Sequence, residues 1–328
     1  MPIENVRVVF DSAHRKYSLN EALARAQFSL PHEKSDGRRA RYSSALMADE
    51  RIRPKLFWDS PSFDVREYSV NKDHIEIRCG ISTYFEMFDI CESLAHEYSS
   101  SRRRRPKDLK LRGLVGDPFD LDKRPFVPAI PTLILLHESM GTTSFVMHAR
   151  DSSAVASAGG FKHFIGGQFQ PSSRHAIEFA EEADLWLSVT REIAEELLGA
   201  DDASGHSGGR ISSMDSPYRE MQELRSSGLL TLWVLGMGVD ALSLWPDLLT
   251  VAVAEKSSFE SAFPNVVTAN SEGTIVGSQS QGGTIRGYDF SFDTVDRLCN
   301  DHTVAPAATA CLRLAWLHRN VLLQSAPR

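Results

Sequence analysis

Six consecutive residues, Arg191-Glu192-Ile193-Ala194-Glu195-Glu196, bring three carboxylates and a guanidinium into less than two turns of a helix. At 3.6 residues per turn, Glu192 lies one turn from both Glu195 and Glu196. Ile193 and Leu197, themselves four apart, point elsewhere, toward a core. Carboxylates at these spacings repel by about 0.2–0.5 kcal/mol per pair unless a cation sits among them, and a divalent metal is the obvious candidate. Upstream, the glycine pair Gly166-Gly167 interrupts an otherwise strand-like run over 159–169. Glycine inside a strand often marks a bulge or a place where a ligand approaches the backbone.

A glycine pair at a strand end, a loop, and then a helix bearing R-E-aliphatic-x-E-E resembles the Nudix box of the Nudix hydrolase superfamily. With Gly167 as the first glycine of the box, Arg191 to Glu196 form its charged core. The resemblance implies that Glu192, Glu195 and Glu196 bind magnesium, with manganese as an alternative, and that Arg191 orients a glutamate. It also implies that a main-chain carbonyl at Gly166 or Gly167 completes the site. The donor chemistry agrees, because magnesium prefers hard oxygen ligands and is often held by a few carboxylates plus substrate phosphates. The implied substrate is a nucleotide, or a nucleoside diphosphate linked to another group, cleaved at its phosphoanhydride bond.

The box is stretched. It places its arginine fourteen positions after the first glycine, whereas 24 positions separate Gly167 from Arg191. Its isolated glutamate therefore falls on Ser173 counted forward, or on Ala183 counted back, with Glu182 one place off. The pattern Glu178-x-x-Glu181-Glu182 repeats that of Glu192-x-x-Glu195-Glu196 fourteen residues earlier. On one continuous helix over 176–198, Glu181 or Glu182 could substitute for the missing member; otherwise these residues form a solvated acidic face. Asp240 and Glu255, at strand ends, are further candidates for metal or base. His137, His148 and His163 could serve as bases but read more simply as hydrogen-bonded structural histidines. Trp233, Trp245 and Phe161 could stack on a base, though core packing is the simpler reading.

The elements that would position this site follow from periodicity. A short strand is expected over 6–10 and alternating strands over 63–66 and 74–79, followed by a helix over 85–98. Residues 130–137 and 143–149 read as a hairpin, and 229–237 and 248–254 as apolar strands joined through a Trp245-Pro246-Asp247 turn. Helices are expected over 218–225 and 306–323, with Gly199 ending the acidic helix as a C′ glycine. The expected fold class is α/β (α+β): a Nudix-like mixed sheet sandwiched between helices over residues 125–328, preceded by an N-terminal α+β extension over 1–124 of unknown role.

The whole chain sets wider bounds. Its 328 residues carry a net charge of −7, with 42% hydrophobic and 24% charged residues, which is the composition of a globular protein and not of a dedicated nucleic-acid binder. The basic run Arg102 to Lys107 reads as a solvated loop. Cys79, Cys91, Cys299 and Cys311 form no CxxC, which argues against a zinc-thiolate site. With no secretory signal and no apolar run of about 20 residues, the expectation is a cytoplasmic protein with no membrane partner, and a homo-oligomer is allowed. Ser139 lacks the first glycine of a nucleophile elbow. A second reading keeps the fold but loses turnover: a catalytically degenerate Nudix-fold protein that binds a nucleotide or other ligand, or regulates.

Overall fold

The computed structural model describes residues 1–19, 41–48, 50, 57–100, 105, 108–138, 141–155, 159–199, 214–266, 269, 273–277 and 287–324. Ser139, nearly all of the basic run 102–107, and residues 20–40 and 200–213 lie outside the described residues. In chain order the described strands are β1 (Val6–Phe10), β2 (Pro61–Val70), β3 (Ile75–Thr83), β4 (Thr132–His137), β5 (Thr143–Phe145), β6 (Met147–Arg150), β7 (Lys162–His163), β8 (Leu230–Val239), β9 (Pro246–Glu255), β10 (Gly273–Val276) and β11 (Tyr288–Asp289). The α-helices are α1 (Tyr42–Ala48), α2 (Tyr84–Ser100), α3 (Lys110–Val115), α4 (Phe179–Glu182), α5 (Leu185–Glu196), α6 (Tyr218–Ser226), α7 (Lys256–Ala262), α8 (Phe292–Cys299), α9 (Pro306–Leu317) and α10 (Arg319–Gln324). The fold class is α+β with mixed sheets. No helix among the described residues is long and apolar enough to cross a membrane.

Alternation along the central strands decides the layering. A five-stranded sheet runs β11-β5-β4-β9-β8, with β4 and β9 parallel and the other pairs antiparallel. Ile134 and Leu136 of β4 face one core with Ala252 and Ala254 of β9, while Leu133, Leu135, Val251 and Val253 face a second core. Successive side chains of a strand point to opposite faces, so a strand buried on both sides reads as a continuous apolar run. Helix α5 covers the first face and α9 the second. The sheet is therefore held between helices.

The hairpin expected over 130–149 is seen between β4 and β5, but β6 leaves that sheet for a smaller one, ordered β10-β6-β7. A third sheet, β1-β3-β2, belongs to the first part of the chain. Its Phe63, Val65, Ile77 and Cys79 enter the same core as α5. The Phe63 amide donates to the Phe169 carbonyl at 2.8 Å, and the Val65 amide to the Phe126 carbonyl at 2.9 Å.

The helix expected without interruption over 176–198 is broken. A short 3-10 turn at Ala176–Glu178 leads into α4, the backbone turns out of helical geometry at Ala183, and α5 begins anew after Asp184. Asp184 accounts for the restart: its Oδ1 accepts the Leu187 amide at 3.1 Å, satisfying a donor that the first turn would otherwise leave open. Leu185, Val189, Ile193 and Leu197 then form an i, i+4 stripe that is buried in the core, each side chain contributing about 1.5–3 kcal/mol. Gly199, at φ +71°, follows as a left-handed residue past the helix end.

Candidate functional site

Glu192 and Glu195 of α5 line a cleft of about 530 Å³. Arg191 is buried beside these two carboxylates. Its Nη1 donates to the Gln170 carbonyl at 2.8 Å, and its Nη2 to Glu192 Oε1 at 2.9 Å and the Gln168 carbonyl at 3.4 Å. Its Nε lies 3.8 Å from Glu195 Oε1. Burial alone would lower the Arg191 pKa, but the carboxylates of Glu192 and Glu195 more than reverse this. One guanidinium thus ties the acidic helix to the loop that follows the glycine pair.

That tie seats Glu192 on Gly167. A Cβ on Gly167 would lie 2.5 Å from Glu192 Oε2, so no other residue fits while the carboxylate is there. At Gly166, φ is +151° and a Cβ would run into the Ile130 carbonyl. The sequence suggested a bulge or a ligand near these glycines; what approaches them is the chain's own Glu192 carboxylate and Ile130 carbonyl. Gly166, Gly167, Glu192 and Glu195 line the cleft together with Arg150 and His163. Arg150 Nη1 donates to the Gly166 carbonyl at 3.4 Å.

The third carboxylate goes another way. Glu196 is buried with Oε2 3.2 Å from Nδ1 of the equally buried His148, and it is not part of the cleft lining. Two of the three box glutamates thus open on the cleft, and among the described residues no three His, Cys, Asp or Glu side chains converge as a metal-ligating group. Two hard carboxylates beside a backbone carbonyl still fit a magnesium ion that takes its remaining ligands from water and substrate phosphate.

His163 is held neutral: burial, with Arg150 adding to it, lowers its pKa to about 4. Its Nδ1 lies 3.0 Å from the Phe164 carbonyl, and since a carbonyl only accepts, Nδ1 carries the proton and Nε2 is the acceptor. His137 bonds Thr143 Oγ1 at 2.9 Å and is not in the cleft lining.

The acidic echo separates into a structural and a solvated part. Glu182 is buried and accepts the Ser172 hydroxyl at 2.7 Å and the Ser173 amide at 3.2 Å, which pins the extra loop residues. Glu181 is exposed. Glu255 caps α7, accepting the Ser257 and Ser258 amides. Its pKa falls to about 2 because hydrogen bonds from Ser258 and Ser257 outweigh burial. It also stands at the far end of β9, eight residues or about 26 Å from Asp247.

Of the remaining cleft wall, Asp240, Trp245 and Phe161 were named from the sequence, and the others were not. Trp58, Tyr84 and Trp245 line it with the acids Glu92, Asp240 and Asp247. Trp245 is packed in the core against Tyr84 and Phe88, as expected, yet still borders the cleft; Phe161 borders it while 39% exposed. Trp233 is not in the lining. Asp240 Oδ1 is occupied by the amides of Leu242 and Ser243 and by the Ser243 hydroxyl. Burial, reinforced by Asp240, pushes the Asp247 carboxyl up to about 8, and burial also raises Glu92. The turn expected at Trp245-Pro246-Asp247 lies instead at 241–243, and Pro246 and Asp247 begin β9, paired with Val239 and Gly238.

No family model matches the chain, and no curated protein matches it. Among solved structures it is similar to a Nudix hydrolase from M. smegmatis, RenU, over 62% of this chain and 89% of that one, at 12% identity and a TM-score of 0.29. The site therefore stands on its own geometry.

Proposed function

We propose that the chain is a Nudix-like hydrolase of the cytoplasm that cleaves the phosphoanhydride bond of a nucleoside diphosphate linked to another group. The observation that carries this reading is the seat of Glu192 on Gly167, held by Arg191, which pairs the two halves of the box across ten extra residues. Magnesium, or manganese in its place, would be held by Glu192 and Glu195, with Glu196 as the third acid of the helix, turned to His148. When bound, such an ion offsets charge developing on the diphosphate and makes a water more acidic.

The chain's own residues supply the rest. Arg191 fixes the Glu192 carboxylate by donating to its Oε1. Arg150 brings a guanidinium to the Gly166 side of the cleft, where its fork suits phosphate oxygens. His163, a weak base at about 4, accepts a hydrogen bond through Nε2 and does not hold the proton at neutral pH. The reaction takes up one water, breaks one P–O–P bond and returns two phosphate esters. A product-release screen over nucleotide substrates with magnesium tests it. Activity should fall at least about a hundredfold in Glu192→Gln and Glu195→Gln, and an undiminished rate in both would sink the mechanism.

One observation favours a second reading, a ligand-binding protein without turnover. Arg150 Nη1 bonds the Gly166 carbonyl, an oxygen that the box would give to metal, while Glu196 is turned away from the cleft. Nucleotide binding by calorimetry with no product at high protein concentration would select it; any enzyme-dependent product would remove it.

A further inference from the structure

The aromatic and acidic wall of the cleft lies at a defined distance from the Gly167–Glu192 seat. Ala129 bridges Asp247 on one side and Gln168 on the other. Two strand spacings, about 10 Å, therefore separate Asp247 from the residue next to Gly167. Tyr84, Phe88 and Glu92 follow one another at four-residue intervals on α2, and the first two contact the Trp245 ring, with centroids at 6.0 and 6.4 Å. The same helical stripe thus delivers a tyrosine ring and a carboxyl to the side of the cleft that Trp245 and Asp247 border.

Two of these acids have nothing to do in the fold. Among the described residues, neither Glu92 nor Asp247 makes a side-chain hydrogen bond or an ion pair, whereas Asp240 is satisfied by its own turn. Both are half-buried, and a carboxyl left unpaired beside aromatic rings at the wall of a cavity is placed to bond a ligand. Rings favour a flat occupant, and an ionised acid repels a carbonyl oxygen at its edge.

We propose that this wall binds the base of the substrate, and that it selects a nucleobase bearing an exocyclic amino group over its carbonyl counterpart. The inference rests on the nucleotide reading of the same cleft but not on its catalysis. A carboxyl that is protonated near neutral pH offers one donor and one acceptor, and an ionised one offers acceptors only; the amino group suits both. The base would sit about two strand spacings from the diphosphate end.

Calorimetric titration of the full chain in EDTA with nucleoside monophosphates tests the pocket without metal or turnover. AMP should bind at least about tenfold tighter than IMP, and CMP at least about tenfold tighter than UMP. Asp247→Leu should bring both ratios below about threefold while leaving the affinity for magnesium pyrophosphate, titrated separately without EDTA, unchanged, which also reports that the variant is folded. Should Asp247→Leu not fold, Glu92→Leu carries the same test. Equal affinities in the unaltered protein, or tighter UMP and IMP, overturn the pocket, as does a full preference retained in the variant. A preference without any hydrolysis would leave the pocket standing and remove the catalytic reading.

Discussion

Glu192 lies against the α-carbon of Gly167, so close that a Cβ there would be 2.5 Å from its Oε2, although 24 positions of chain separate Gly167 from Arg191, the residue that holds this glutamate in place. Gly167→Ala should therefore displace the carboxylate before anything else. The expected cost is about 1–3 kcal/mol of stability from overpacking, together with weakened manganese binding. Denaturant midpoints and manganese titration by electron paramagnetic resonance read the two effects separately.

Arg191 joins three partners across α5 and the loop: the Gln168 and Gln170 carbonyls and the Glu192 carboxylate. Arg191→Ala removes one half of a buried ion pair with Glu192 and should cost about 3–5 kcal/mol. Arg191→Lys keeps the charge but not the fork, so it should fall between the alanine variant and the unaltered protein. Urea unfolding with an unchanged slope measures the order, and a lysine variant weaker than the alanine one would contradict it.

The buried Glu196 and His148 form a pair of their own. Glu196→Ala should destabilise by about 1–3 kcal/mol through the polar group it strands and reduce hydrolysis less than Glu195→Gln does. Thermal melts beside initial rates for the two variants check this. A larger catalytic loss from Glu196 would return it to the metal site as a direct ligand.

Asp247 gives a pH dependence with a definite sign. Its folded pKa is about 8 against an ordinary 3.8, so the folded state holds a proton that the unfolded chain releases. Its contribution to stability is complete below about pH 4 and is lost as pH rises to about 8. Asp247→Asn should consequently raise the melting temperature at pH 8 and leave it nearly unchanged at pH 3.5. A gain confined to acid would contradict the assignment. A residue that costs stability at working pH is the usual mark of a site kept for function.

Much of this was legible because it follows from periodicity. The stripe Leu185, Val189, Ile193 and Leu197 shows the buried side of α5, and the two-sided apolar runs of β4 and β9 show a sheet covered on both faces. What sequence spacing could not show were contacts made at long range. Three glutamates at helical spacing read as one acidic face, yet Glu196 is claimed by His148 from β6. Glu182 looked like a spare metal ligand but is spent on Ser172 and Ser173, which lie ten and nine residues away. The break before α5 was readable in principle, since Asp184 is a good N-cap, but the regular glutamate echo outweighed it. Asp247 stands out only when α2 brings Tyr84 and Phe88 against Trp245.

Anomalous diffraction from crystals soaked with manganese and a non-hydrolysable nucleoside diphosphate analogue tests the central claim most directly. The account predicts one strong peak within coordination distance of the Glu192 and Glu195 carboxylates, on the Gly167 side of the cleft and bridged to the diphosphate. A cleft that holds the analogue with no anomalous density beside those two carboxylates would contradict it.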